Sequence, residues 1–179
     1  MKKVTLSALA AFAVAASAFA GSAKDFKQPV AQKFFQDTEF ALDAFYSYND
    51  TKAGYFVDGS GGGVGADFFF QRYFGVGVEG NWWNGAQPET KKGVVSQVAA
   101  NVSLRYPMEF TSFGVAPYIF GGGGVALSAH DCGFPDVGAG VEVRVTPRVG
   151  VFADWRWNFM AGDAKNDVNT TRTGVRFVF

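Results

Sequence analysis

The stretch from Val137 to Thr146 reads VGAGVEVRVT, and its apolar and polar residues alternate at every second position. Successive side chains of a β-strand point to opposite faces. The spacing therefore predicts a strand with one valine-rich face and one face that carries Glu142 and Arg144. Pro147-Arg148 follows as a tight turn. The next run, residues 149–160, alternates in the same way and predicts an antiparallel partner.

The same alternation recurs along the chain and predicts eight strands. Their ranges are about 39–48, 61–70, 74–83, 94–106, 114–127, 137–146, 149–160 and 170–179. Glycines blur the alternation in 114–127, so the facing of that strand stays open. Short connections alternate with longer polar ones, and the longer ones are 49–60, 84–93, 128–135 and 161–169. This order predicts an all-β protein, an eight-stranded antiparallel up-and-down β-barrel.

The first twenty residues predict a secretory signal peptide. Lys2 and Lys3 precede an apolar run, and Ala18-Phe19-Ala20 supplies the small residues of a cleavage site before Gly21. We therefore divide the chain into a signal peptide (1–20), an N-terminal periplasmic arm (21–38) and a barrel domain (39–179), and expect Sec-type export.

Charge and cysteine content exclude several classes of protein. Without Lys2 and Lys3 the chain has 14 basic against 16 acidic residues, and no basic stripe points to nucleic acid. Cys132 is the only cysteine, so the fold is not held by an intrachain disulfide.

The charges on the strands indicate which face of the barrel is inside. A soluble barrel would enclose its apolar face around a ligand, whereas a membrane barrel turns that face to lipid and encloses the polar one. The polar face carries five acids and five arginines but no lysine, a choice typical of enclosed ion pairs, because the planar guanidinium can bridge two carboxylates. The predicted lumen ion-pair network consists of Asp43, Asp67, Glu79, Arg105, Glu142, Arg144, Asp154, Arg156, Arg172 and Arg176.

Aromatic residues of the apolar face favour the membrane barrel. They fall into two bands around a Val/Ala/Leu band, as at the two interfaces of a bilayer. The band at the long-loop end is Tyr46, Tyr48, Trp82, Trp157 and Phe159; the band at the short-turn end is Phe70, Phe74, Tyr106, Phe177 and Phe179.

The chain ends on RTGVRFVF, residues 172–179. The order of Arg172, Gly174, Phe177 and Phe179 resembles the C-terminal assembly signal of outer-membrane barrels. In that family the barrel assembly machinery recognises the last strand during insertion. The resemblance implies that these four residues serve as an assembly signal, and that periplasmic chaperones accompany the chain to the membrane.

More broadly, residues 39–179 resemble the small eight-stranded outer-membrane barrels of the OmpX, opacity-protein and OmpA transmembrane-domain type. The stretch from Gly61 to Trp83, GGGVGADFFFQRYFGVGVEGNWW, is similar to the second hairpin of the outer-membrane β-barrel domain family. The resemblance implies a fold and a location in the outer membrane of a Gram-negative-type bacterium. It brings no uniform function, because members of the family differ in role.

Catalytic and cofactor sites are not expected. His130-Asp131-Cys132 offers too few ligands for a metal and predicts an ordinary loop. The glycine-rich runs 59–65 and 121–124 lack the Lys-Ser/Thr of a phosphate loop. We therefore predict a non-enzyme without cofactor or metal.

The leading hypothesis is an integral outer-membrane protein with a structural or surface-interaction role and a lumen filled by ion pairs. Its expected surroundings are outer-membrane lipid and lipopolysaccharide, and its loops could bind a surface ligand. Two alternatives stay open at this point: a porin-like channel for small solutes, and a soluble periplasmic ligand-binding barrel.

Overall fold

The computed structural model describes residues 33–52, 56–85, 93–127, 131–161 and 167–179. All of them belong to one compact unit, which begins at Gln32. The predicted signal peptide, most of the predicted arm and a part of each long loop lie outside the described residues.

The described residues form one antiparallel sheet that closes on itself. Eight long strands follow one another around the barrel, the first also pairs with the last, and a two-residue strand lies in one of the short turns. The strands are β1 (Glu39–Thr51), β2 (Gly59–Gln71), β3 (Phe74–Asn84), β4 (Val94–Arg105), β5 (Met108–Glu109), β6 (Gly114–Leu127), β7 (Cys132–Thr146), β8 (Val149–Asn158) and β9 (Val168–Val178). The predicted eight-stranded up-and-down barrel is confirmed.

Closure of the barrel depends on the pairing of β1 with β9. Their register places Asp43 opposite Arg176. The ladder continues past the strand ends, since the Phe179 amide donates to the Phe40 carbonyl at 2.8 Å. The final residue of the chain is therefore part of the seam that leaves the sheet without an open edge.

The apolar face points outward. Mid-strand valines lie on the surface, with Val64, Val78 and Val98 each at least half exposed. The two predicted aromatic bands lie on the same face; Phe177 is 47% and Tyr46 53% exposed. In the described part of the chain, no helix has the length and hydropathy needed to cross a membrane.

The structure settles the facing of β6, which the sequence left open. Ala116 and Phe120 are buried, whereas Ile119 between them is exposed. Even-numbered residues of this strand therefore face the lumen.

The predicted start of the sixth long strand is wrong: β7 begins at Cys132 and not at Val137. Pro135 concealed the extension, because proline cannot donate to a ladder. It lies one residue beyond the last pairing of β7 with β8, Asp136 with Asn158, and its carbonyl still accepts from the Phe159 amide at 3.0 Å. Only the bond that an N–H of Pro135 would have donated is lost, at the end of that ladder. The predicted loop 128–135 is correspondingly shorter.

Candidate functional site

The lumen contains two groups of ion pairs. The first, here called the mouth cluster because it lies toward the short turns, consists of Glu39, Asp43, Asp67, Arg105, Glu142, Arg144 and Arg176. The second, here called the central cluster, consists of Glu79, Asp136, Asp154, Arg156 and Arg172. Together they hold all ten residues that the sequence assigned to the lumen, and two more.

Arg176 is the hub of the mouth cluster. Its Nε and Nη2 donate to the two carboxylate oxygens of Asp43 at 2.8 and 2.6 Å. The same guanidinium pairs with Asp67, and with Glu142 at 2.9 Å. One buried cation thus joins carboxylates from three strands, and the fork geometry of the guanidinium makes that possible.

Arg144 extends the mouth cluster toward the short turns. It pairs with Glu142 through Nε, and it binds both oxygens of Glu39 at 2.8 and 2.9 Å. Glu39 also accepts from Arg105 at 2.8 Å. Each guanidinium has at least one carboxylate partner, which offsets the cost of burying it.

The central cluster has the same construction. Arg172 binds both oxygens of Asp154 at 2.7 and 2.8 Å and also pairs with Glu79. Arg156 pairs with Glu79 at 2.6 Å and with Asp136 at 3.4 Å. Glu79 therefore links two arginines, just as Arg176 links three acids.

Glu39 and Asp136 belong to these clusters, and the sequence analysis missed both. Glu39 and Asp43 are both odd-numbered residues of β1 and face the same side of the strand, so the alternation already placed Glu39 on the polar face. Asp136 and Glu142 are both even-numbered and face the same side of β7, but Asp136 lay outside the predicted strand. With them the two clusters hold seven carboxylates against five guanidiniums.

Aromatic rings inside the lumen form a second set that sequence reasoning did not single out. Each lumen arginine has a ring close to its guanidinium carbon: Phe69 lies 3.7 Å from Arg105, and Phe45 lies 4.8 Å from Arg172. Phe120 faces Arg156 at 4.8 Å. A ring face attracts a cation, most strongly where water is excluded. The sequence already indicated these rings, since Phe45 lies on the same face of β1 as Asp43, and Phe69 on the same face of β2 as Asp67.

The lumen rings lie against glycines of neighbouring strands. A Cβ on Gly75 would come within 2.6 Å of the Phe69 ring, and a Cβ on Gly138 within 2.2 Å of the Phe120 ring. On Gly63 it would come within 2.4 Å of the Phe45 ring. These glycines are required because a side chain there would occupy the space of a ring.

At the long-loop end, neutral groups and then apolar side chains follow the charges. Thr170 Oγ1 donates to Asn49 Oδ1 at 2.8 Å, and Ser47 Oγ donates to Asn81 Oδ1 at 2.7 Å. Above them lies an apolar cap of buried residues: Phe56, Trp83, Val95, Ala99, Ala126, Phe134, Met160 and Val168. The cap separates the charged lumen from the loops.

At the short-turn end, part of the predicted arm covers the lumen. Phe34 and Phe35 are buried and pack with Ala116. The described lumen is thus lined by charges in the middle and by apolar side chains at both ends.

A small polar cavity lies among the clusters, with a volume of about 40 Å³. Its lining includes Asp67, Ser103 and Arg105. By size it has room for roughly two or three water molecules.

The four residues of the predicted assembly signal lie on β9 and at its end. Arg172 points into the lumen, and Gly174 lies against Phe45 Cβ and the Phe152 ring. Phe177 and Phe179 are exposed on the apolar face, at 47% and 74%. Two of the four residues therefore have packing roles in the folded barrel, and the two aromatic residues lie on its outer surface.

Among the described residues, no three His, Cys, Asp or Glu side chains are arranged so that they could hold a metal ion. His130 of the His130-Asp131-Cys132 stretch lies outside them. Cys132 Sγ lies 3.7 Å from Met160 Sδ at the edge of the apolar cap, where the thiol packs as an apolar group.

Comparison with solved structures places this barrel among small transmembrane barrels. A de novo designed transmembrane β-barrel matches with a TM-score of 0.58 and 16% identity, over 84% of this chain and 100% of that one. The N-terminal β-barrel domain of Pseudomonas aeruginosa OprF matches with a TM-score of 0.53 and 12% identity, over 81% and 99%. Ail, the attachment invasion locus protein of Yersinia pestis, matches with a TM-score of 0.54 and 12% identity, over 80% and 100%.

Models of protein families and curated protein sequences give no match to this chain. The structural matches agree with the family resemblance of the sequence, and at these identities they show the fold alone. The chain is folded as a small eight-stranded β-barrel of the outer-membrane type.

Proposed function

We propose that this protein is an integral outer-membrane β-barrel with a closed lumen and a structural or surface-interaction role. One observation carries the proposal: the barrel is apolar outside and charged inside. Val78 and Val98 are 58% and 50% exposed at mid-strand, while Arg144 and Glu142 are fully buried. Exposure of so large an apolar belt to water would be unfavourable, whereas hydrocarbon accommodates it.

The same observation argues against a soluble ligand-binding barrel. Such a barrel would need an apolar interior, but the described lumen is filled with guanidiniums and carboxylates. A protein of this construction has to be extracted with detergent. Its location in the outer membrane is supported by the solved barrels it matches, Ail among them, which is an outer-membrane protein. Sec-type export rests on the predicted signal peptide, residues 1–20.

The lumen favours a structural or surface role over a channel. A solute would have to pass the apolar cap, two clusters of ion pairs and the Phe34-Phe35 cover. Displacing a buried ion pair exposes at least one uncompensated charge to a low-dielectric interior. A conducting path would therefore require the lumen to rearrange.

The long-loop end provides the surface at which a ligand could bind. Thr51 at the end of β1 donates its amide to Asp58 at 2.9 Å, and Lys52 lies 3.9 Å from Asp167 before β9. The Lys52 ammonium also lies 5.1 Å from the centre of the Trp157 ring. These contacts fix the stems of the first and last loops. Lipopolysaccharide would surround this end, and the assembly machinery and chaperones would act during biogenesis.

Two measurements test the proposal. Membrane fractionation should recover the protein with the outer membrane, with a gel mobility that changes on heating. Purified protein in planar bilayers should give no large steady openings. Recovery in the soluble fraction without detergent would exclude a membrane barrel, and steady conductance through unmodified protein would favour the channel.

A further inference from the structure

The residues before β1 occupy the mouth of the barrel at the short-turn end. Phe34 and Phe35 are 2% and 0% exposed, although they precede the first strand. They pack where β6 begins, against Gly114 and Ala116. A Cβ on Gly114 would lie 2.7 Å from Phe35 Cε2 and 2.8 Å from Phe34 Cβ. The first residue of β6 is thus a glycine where this segment needs room.

Hydrogen bonds between the backbone of this segment and side chains of the barrel hold the segment in the mouth. The Phe34 carbonyl accepts from Arg144 Nη1 at 2.7 Å. The Phe35 amide donates to Glu109 Oε1 at 3.4 Å, and Glu109 also pairs with Arg72 in the turn between β2 and β3. The segment is therefore joined to three separate parts of the barrel wall.

The Phe35 ring completes the mouth cluster. It lies 4.2 Å from the guanidinium carbon of Arg144 and 5.1 Å from that of Arg105. Both arginines pair with Glu39. The ring covers two cations that would otherwise face the mouth, and the attraction between ring and cation is strongest in such a dry setting.

We propose that residues 33–38 form a plug that closes the short-turn mouth of the barrel and controls access of water and small solutes to the lumen cavity. Arg105 both lines that cavity and contacts Phe35, so a single layer of side chains separates the cavity from the mouth. Withdrawal of the plug would open the cavity from this end. The plug requires only the geometry of the barrel; that it faces the periplasm rests on the proposed function.

Accessibility of a cysteine in the cavity tests the plug. The reporter is Ser103→Cys in a Cys132→Ser background, in full-length protein refolded in detergent micelles. The probe is a small cationic methanethiosulfonate reagent. With Phe34→Ala/Phe35→Ala the labelling rate should rise by about tenfold or more, because labelling then follows the population of the open state.

The matched control removes two rings at the same end of the barrel but outside the mouth. Phe110 and Phe113 stack with ring centroids 4.8 Å apart and are 50% and 41% exposed. Phe110→Ala/Phe113→Ala should leave the labelling rate of the reporter unchanged. Equal rates with and without the plug rings would overturn the proposal. So would labelling of the plugged protein as fast as that of an exposed Thr111→Cys.

A cross-link keeps the test decisive if the alanine variant does not fold. Phe34→Cys/Gly114→Cys in the Cys132→Ser background should oxidise to an intrachain disulfide, leaving no free thiol. Phe34→Cys/Gly121→Cys should keep both thiols, since seven residues along a strand span about 23 Å. A folded Phe34/Gly114 pair that stays reduced under oxidant would place the segment outside the mouth and overturn the plug.

Discussion

Replacement of Arg176 by methionine is the sharpest test of the lumen. Arg176 is 6% exposed and pairs with Asp43, Asp67 and Glu142. Methionine keeps an unbranched apolar stem and removes the charge. Glu142 would still pair with Arg144, but the two aspartates would lose the cation that binds them.

The expected loss of stability follows from those two aspartates. Breaking a buried pair by removing one partner costs about 3–5 kcal/mol, because a charge stays buried without compensation. The Asp67 side chain is 22% exposed to the lumen, so we assign most of the loss to Asp43, which is 8% exposed. The free energy of unfolding of Arg176→Met should fall by that amount.

The assay is urea unfolding of protein refolded in lipid vesicles, followed by tryptophan fluorescence. Arg148→Met is the matched control, since Arg148 is exposed in a short turn, and it should change the free energy by no more than about 0.5 kcal/mol. Asp43→Asn/Asp67→Asn added to Arg176→Met should recover most of the loss. If Arg176→Met unfolds at the same urea concentration as Arg148→Met, the ion pairs do not hold the lumen together.

Three further perturbations address the glycines, the outer face and the chain end. Gly75→Ala should destabilise the barrel by about 1–3 kcal/mol through overpacking, and Phe69→Leu should suppress the loss; urea unfolding without suppression would contradict the ring–glycine contact. In vesicles, Val98→Arg should lower the free energy of unfolding by about 2–4 kcal/mol and Val94→Arg by about 0–1 kcal/mol, because Val94 lies at the end of the strand. Equal losses would argue against a lipid-facing belt. Phe179→Ala should reduce the heat-modifiable form in cells but not the refolding yield in vitro, as expected of an assembly signal; a loss in both would indicate packing instead.

The strands could be predicted because a barrel wall has the same environment along its whole length. Every second residue meets the lumen, so the alternation around Val141 is regular and the strand periodicity is unambiguous. The strand ends were less certain. β7 extends past Pro135. Proline suggests a strand boundary, and the sequence could not show that Pro135 lies just beyond the last pairing of β7 with β8.

The lumen was predicted only in part, because its rings are not polar. Phe69 and Phe45 share a face with aspartates, and a binary pattern of apolar and polar residues counts them as exceptions. Only the three-dimensional structure shows that each ring fills the space above a glycine and faces an arginine. The Phe34-Phe35 segment could not be predicted either, since two residues are too few to establish a period.

Glycine, ring, arginine and carboxylate together form a unit of this lumen, which explains the absence of lysine from the predicted network. At Gly63, the missing side chain makes room for the Phe45 ring, the ring face meets Arg172, and the edge of that guanidinium binds Asp154. Arginine can satisfy both neighbours at once, because its flat face stacks on a ring while its N–H groups bind a carboxylate in the same plane. A lysine ammonium has no flat face, so it would have to give up one neighbour. A lumen narrow enough to be filled by its own side chains therefore favours arginine at each of the five cationic positions, and the glycines of the wall provide the room for this arrangement.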